Sequence, residues 1–283
     1  MSKPHISPAE ALETEDIEIK LLLEAIYQKY KYDFRSYAFT SIKRRIKHRC
    51  ARDQHKTITD LTREVLYSKE TFSSLLKDFS INVSDMFRDP EVFKTFREKV
   101  VPYLNTFPFI RLWVAGCSSG EEVYSLAIIL KEEGVYNKCQ IYATDMNPLI
   151  LDVAKEGIYP IDRVAKFTEN YQRAGGKESF SDYYNSKFES IIMSKSLKKN
   201  IVFSVHNLTV DKVFNEMHFI SCRNVMIYFT EELQENVLQL FLDSLYHGGF
   251  LCIGTKESLQ FTDIHSHFEE VEAHRRIYKN RHV

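Results

Sequence analysis

The sequence lacks most of the features that mark secreted, metal-bound or membrane-spanning chains. Its five cysteines (Cys50, Cys117, Cys139, Cys222 and Cys252) are scattered, with no Cys-x-x-Cys pair and no histidine cluster beside any of them. This argues against a disulfide framework and a thiolate zinc site, so free thiols in a reducing compartment are expected, and no metal. No apolar run approaches the roughly 18 residues that cross a bilayer. The opening residues Met1-Ser2-Lys3-Pro4-His5 have no apolar stretch of the signal-peptide kind, so a cytoplasmic protein without membrane insertion is expected. Neither sign of charge dominates, with 38 Lys+Arg against 39 Asp+Glu, so net charge names no partner. There is no internal repeat or low-complexity tract.

What is present divides into two parts. At 283 residues and 44% hydrophobic composition the chain is long enough to bury a sizeable core. Residues 15 to 80 contain neither glycine nor proline. Ile19, Leu22, Leu23, Ile26 and Tyr30 form one apolar stripe at helical spacing, and Phe72, Leu75, Leu76 and Phe79 another. A small all-α domain is expected over 15–89. Asp89-Pro90 then reads as the cap and first turn of a helix running to about Tyr103.

From Ile110 short apolar runs alternate with helical stretches. Strands are expected at Ile110–Ala115, Gln140–Thr144, Asn200–Val205, Met217–Ser221 and Gly249–Gly254, with helices at Glu121–Glu133, Leu149–Lys155 and Glu231–Leu245. That alternation predicts an α/β, Rossmann-like domain over 90–283 with a mainly parallel sheet. Phe268–Val271 and Arg276–Lys279 would form an antiparallel C-terminal edge. Residues 167–199 are too long for an ordinary connection and carry the turn signal Gly175-Gly176, so a small antiparallel β insert is expected there.

In such a sheet ligands sit beyond the carboxyl ends of the strands. The first loop, Ala115-Gly116-Cys117-Ser118-Ser119-Gly120, leads straight into Glu121-Glu122 and a helix. Gly116 lets the backbone approach a ligand. Two carboxylates at a helix N-terminus would repel a pyrophosphate but suit an ammonium or sulfonium, and S-adenosylmethionine carries both. Acidic residues in a first turn also compensate the helix dipole with no ligand at all. Asp145 ends the second strand, where an acidic side chain can take both ribose hydroxyls of an adenosine. It could equally cap the helix at Pro148, as could Asn147. Arg223, Asn224 and Tyr228 gather after a later strand, where they either satisfy one another or surround a transferred methyl. Asn207 lies at a similar level and could meet the adenine.

Taken together, Asn82-Val83-Ser84-Asp85-Met86-Phe87-Arg88-Asp89, Trp113 through Ser125, Ala143-Thr144-Asp145, His206-Asn207-Leu208 and Cys222 through Phe229 resemble the chemotaxis-receptor glutamate O-methyltransferase (CheR) family. The resemblance keeps motif order over roughly residues 20 to 260. It implies S-adenosylmethionine as donor, S-adenosylhomocysteine as product, and cofactor contacts from Asn82, Ser84, Arg88, Gly116, Glu122, Asp145, Asn207, Leu208, Arg223 and Asn224. It further implies Arg88 and Tyr228 as catalytic residues beside the methyl. The acceptor would be a glutamate on the acidic, helical cytoplasmic domain of a receptor or related signalling protein. The chain departs from the family's usual pattern at Gly254-Thr255-Lys256-Glu257, where Gly-His-Ser-Glu is usual, and no role is assigned to that stretch.

Lys43 to Arg52 holds six Lys/Arg in ten residues. Ile42, Ile46 and Cys50 would seat this helix and leave the cations outward, as a solvated face or toward an anionic partner, and the resemblance favours an acidic helical substrate protein bound by Arg44, Arg45 and Arg49. Nucleic acid is the less favoured anionic partner. The rival functions are a methyltransferase acting on RNA or a small molecule, and a non-catalytic sensor of S-adenosylmethionine or its product.

Overall fold

The computed structural model describes residues 7–80, 84–211 and 216–281. Two compact units emerge: residues Met1–Ile81 with Tyr228–Leu233, and Asn82–Ile227 with Gln234–Val283. The first is helical, with α1 (Pro8–Tyr30), α2 (Phe39–Arg52), α3 (Ile58–Tyr67) and α4 (Lys69–Phe79). Three of its helix starts, those of α1, α3 and α4, are written locally. Ser7 Oγ accepts the Glu10 N–H while Glu10 Oε2 accepts that of Ser7, Thr57 and Asp60 repeat the arrangement, and Ser68 Oγ accepts the Thr71 N–H. Both apolar stripes are buried, apart from Tyr30, which is half-buried. Each fully buried Leu or Ile contributes about 1.5–3 kcal/mol.

The expected end of the helical domain at residue 89 needs correction. Residues 84–89 are held by the sheet unit: Phe87 N–H donates to Ser125 Oγ, Asn170 Nδ2 donates to the Met86 carbonyl, and the buried Phe87 ring packs edge-on against Phe93, Tyr171 and Phe180.

The second unit runs α5 (Pro90–Thr95), one π-turn (Phe96–Val100), α6 (Val101–Leu104), β1 (Ile110–Ala115), α7 (Glu121–Glu132), β2 (Cys139–Asp145) and α8 (Pro148–Glu156). It continues with β3 (Ile158–Pro160), α9 (Val164–Arg173), β4 (Tyr184–Lys187), β5 (Ser190–Met193), α10 (Lys195–Lys198), β6 (Ile201–Val205) and β7 (Met217–Cys222). Then come α11 (Glu231–Ser244), whose first turn belongs to the helical unit, β8 (Leu245–Ile253), β9 (Phe268–Glu270) and β10 (Ile277–Asn280). The main sheet has the order β6-β2-β1-β7-β8-β10-β9. Its first five strands are parallel, and β10 and β9 close it antiparallel, the expected edge. Parallel strands are covered on both faces. Accordingly every residue of β7 is buried, and so are Trp113 and Val114 of β1.

The insert differs in detail from expectation. Its sheet, β3-β5-β4, is antiparallel but recruits Ile158–Pro160 from ahead of residue 167, and residues 164–173 are helical rather than extended. All five cysteines are free thiols. No helix among the described residues is long and apolar enough to cross a membrane.

Candidate functional site

The β1 loop and the end of β2 meet through Asp145. Its Oδ2 accepts the Ser118 N–H at 3.0 Å and its Oδ1 the Asn147 N–H at 3.0 Å, with the Met146 N–H also turned to it. Asn147, not Asp145, caps α8, its Oδ1 taking the Leu149 N–H at 3.0 Å. Burial pushes the Asp145 carboxyl above the usual carboxylate range, and the three backbone N–H groups only partly offset this. A carboxylate offers about four acceptor positions. Its oxygens are acceptors, the chemistry that a ribose hydroxyl calls for, so the residue type fits an adenosine.

The His206 N–H donates to the Asp145 carbonyl at 3.2 Å, which brings Asn207 level with the same strand tip. Asn207 Oδ1 is occupied in a local turn by the N–H and hydroxyl of Thr209, and Leu208 beside it is half-buried.

Gly116 has φ +72°, and a Cβ there would lie 2.5 Å from Val225 Cγ2. Its smallness thus lets the β1 loop close over the loop after β7. At the start of α7 the two glutamates part company. Glu121 is fully buried, accepts from Ser119 Oγ at 2.6 Å and pairs with Arg163 at 2.8 Å. It is therefore not one of two carboxylates facing a ligand; burial raises its carboxyl. Glu122 is half-buried, accepting from Ser221 Oγ and, at 3.1 Å, from Arg223 Nη1.

Arg223 is more enclosed than its expected cofactor contact implies, with only 2% of its side chain exposed. Beyond Glu122 it donates through Nη2 to the Arg88 carbonyl at 2.8 Å and Asp89 Oδ2 at 2.7 Å. Asp89 consequently does not cap α5: it sits at φ +58° with its side chain on Arg223. This chain of contacts joins α7, the β7 loop and the backbone of the segment carrying Arg88. Arg88 itself lines a cleft of about 500 Å³ with Asp85, Asp89, Lys166, Arg173 and Arg275.

Three participants were not picked out from the sequence. Glu257, buried, accepts the N–H groups of Gly254, Asn224 (3.1 Å) and Ile227 (3.3 Å), tying the end of β8 to the β7 loop. A Cβ on Gly254 would lie 2.7 Å from Glu257 Oε2 and 2.8 Å from the Asn224 nitrogen, so that glycine is required by close approach. Asn224 adopts φ +61° within this loop. Arg163 and Ser221 complete the set. The Gly-x-x-Glu spacing after the last parallel strand was the one available signal for Glu257; nothing local marked Arg163.

Other expectations fall elsewhere. Asn82 lies outside the described residues. Ser84 is held through its carbonyl, which accepts from Arg163 Nη2. Tyr228 packs within the helical unit: its carbonyl accepts the Ala38 N–H at 2.8 Å and the Arg45 guanidinium stands 4.9 Å over its ring. The picture of six outward cations on α2 is wrong for two of them. Ile42, Arg45, Ile46 and Arg49 form the buried i, i+3, i+4, i+7 stripe. Arg45 donates to the Phe79 carbonyl, and Arg49 to Asp78, to Asp53 and, at 3.1 Å, to the Ser74 carbonyl. Neither presents a free cation to a partner. Lys43 pairs with Glu15 and Asp16, and Lys47 with Glu15. Arg44 is exposed. Among the described residues no group of three or more His, Cys, Asp or Glu is placed to hold a metal.

Both units match known protein families. Residues 82–277 match the family described as CheR methyltransferase, SAM binding domain, and residues 17–80 match CheR methyltransferase, all-alpha domain. A Pseudomonas putida protein bearing the methyltransferase name Cher3 is 48% identical over 264 residues, 93% of this chain and 97% of its own. A chemotaxis protein methyltransferase of Listeria innocua is 31% identical over 229 residues, covering 80% of this chain and 84% of its own. One from Borreliella burgdorferi is 34% identical over 198 residues, covering 66% and 68%.

Proposed function

The chain belongs to the CheR methyltransferase family, whose members use S-adenosylmethionine, and on that premise we propose that it is a protein-glutamate O-methyltransferase. The acceptor is a glutamate on the acidic, helical cytoplasmic domain of a chemoreceptor or related signalling protein. The observation that carries this reading is that Asp145 is hydrogen-bonded to the β1 loop, which leads into α7, where Arg223 bridges Glu122 to the Arg88 backbone, all in the sheet unit.

The bound donor supplies an electrophilic methyl group. Asp145 would hold a ribose hydroxyl, Asn207 and Leu208 would flank the adenine, and Glu122 would supply negative charge toward the methionine part, its own position set by Ser221 and Arg223. An acceptor glutamate, with a reference pKa near 4.3, is already ionised at neutral pH. No general base is needed, and the protein's work is positioning, which can lower a barrier by about 7–11 kcal/mol. Arg88 grips one acceptor oxygen by a charge-assisted hydrogen bond and leaves the attacking lone pair free. Of the α2 cations, Arg44 is the one assigned to the acidic partner.

The test is transfer of labelled methyl from S-adenosylmethionine to candidate chemoreceptor cytoplasmic domains. Carboxyl methyl esters release methanol in mild base. Label that resists base, or that enters RNA or a small molecule instead, would overturn the glutamate assignment.

A further inference from the structure

The segment Ser84–Arg88 has little regular structure to define it. Phe87 and Asp89 lie at φ +52° and +58°, conformations that non-glycine residues avoid unless the surroundings enforce them. Side chains from elsewhere hold it instead, two on its backbone carbonyls and a third on the Asp85 carboxylate, and all three stand on one face of the stretch that follows β3. Arg163 closes the 3₁₀ turn Ile161–Arg163, and Lys166 and Asn170 follow on α9 at i+3 and i+7.

Arg163 Nη2 donates to the Ser84 carbonyl and, at 2.9 Å, to Asp85 Oδ1. Its Nη1 reaches Glu121 Oε1 at 2.8 Å. Lys166 takes the other Asp85 oxygen, and Asn170 Nδ2 donates to the Met86 carbonyl at 3.0 Å. One planar guanidinium therefore spans three acceptors: one on each of two consecutive residues ahead of Arg88, and one at the start of the helix that carries Glu122. A lysine could not reproduce that fork, being a compact point charge.

We propose that Arg163 is a positioning residue of the methyl-transfer site, setting the Ser84–Arg88 backbone and the first turn of α7 in register with each other. The inference rests on the reading that this segment meets the cofactor and acceptor. Arg163 does not touch the reacting groups; it acts through Ser84, Asp85 and Glu121. It also lies just after β3, the first strand of the small antiparallel sheet, so it joins the insert to the site.

The experiment measures S-adenosylhomocysteine affinity by calorimetry on the full chain, with thermal unfolding alongside. Arg163→Ala leaves Glu121 buried without its ion-pair partner and is liable to unfold. The double variant Arg163→Gln with Glu121→Gln removes that charge yet still releases Ser84 and Asp85. For the double variant the expected result is a melting temperature near the parent's with affinity about tenfold weaker, the scale of one lost hydrogen bond. Arg163→Lys should fall between, and where Arg163→Ala folds, added guanidinium ion should restore part of its affinity. Parent-like affinity in the double variant, or a loss that tracks unfolding, would overturn the inference. Arg88→Ala is run in parallel. If it too binds like the parent, the assignment of the whole segment to the cofactor site fails; if it weakens and the double variant does not, only the role of Arg163 fails.

Discussion

The helical unit and the strand tips of the sheet unit both bury arginine, to different ends. In the helical unit Arg49 joins α2 to α4 through Asp78 and the Ser74 carbonyl, and Arg45 caps the last carbonyl of α4 at Phe79. In the sheet unit Arg223 joins Glu122 to Asp89 and the Arg88 carbonyl, all in or beside loops at the ends of parallel strands. Burial and residue type are alike in the two places. What differs is the partner: helix–helix packing in one, loops at the strand tips in the other. A buried arginine is thus a statement about fold or about function only once its acceptors are known.

The comparison can be broken most sharply at Arg49. Arg49→Met should cost about 3 kcal/mol by leaving Asp78 without its partner, with S-adenosylhomocysteine affinity intact in the folded protein, as denaturant melts and calorimetry would show. An equal loss of affinity would erase the distinction between the two regions. Arg88→Ala should do the reverse, lowering turnover on the order of 100- to 1,000-fold while the melting temperature holds. Near-normal turnover would remove Arg88 from the mechanism. Asp145→Ala should weaken cofactor binding by about 1–3 kcal/mol.

The same carboxylate supplies a pH test. Its folded pKa lies above the unfolded value of about 3.9, so the folded state takes up this proton first as pH falls. Through this group, acidification favours the fold while converting an acceptor into a donor. Product affinity should therefore decline with falling pH before near-UV circular dichroism reports unfolding. Asp85 has the opposite sign. Burial alone would raise its pKa, but Lys166 and Arg163 hold it lowered, so the stability it contributes is present above the unfolded value and is lost as pH falls through the folded one. Coincident loss of affinity and fold would sink the pH argument for Asp145. The smallest effect is expected at the exposed Arg44: Arg44→Glu should raise KM for an acidic acceptor a few-fold and flatten its salt dependence, with product affinity unchanged.

Much of this was legible in the residues. The apolar stripes of α1 and α4, the alternation of strand and helix from Ile110 and the Gly116 loop follow from periods of 3.6 and 2 and from turn chemistry, which are properties of neighbours in the chain. The strand-tip position of Asp145 follows from the same rules, because parallel strands put the loops that follow them at one end of the sheet. Even the departure at Thr255-Lys256 preserved the residue that mattered, since Glu257 still receives the backbone N–H groups of the β7 loop.

Which charged groups are bound inside was not legible. Glu121 and Glu122 are adjacent and chemically identical, yet one turns to Arg163 and the other to Arg223. Arg44 and Arg45 part in the same way, one exposed and one buried. Local spacing along the chain sets the order of the elements, the faces they bury and the loops that gather at the strand tips. Which carboxylates and guanidiniums are engaged inside is settled by the fold. Their partners lie tens of residues to more than a hundred away in the chain, and a buried charge is settled by whichever partner the fold brings within hydrogen-bonding reach.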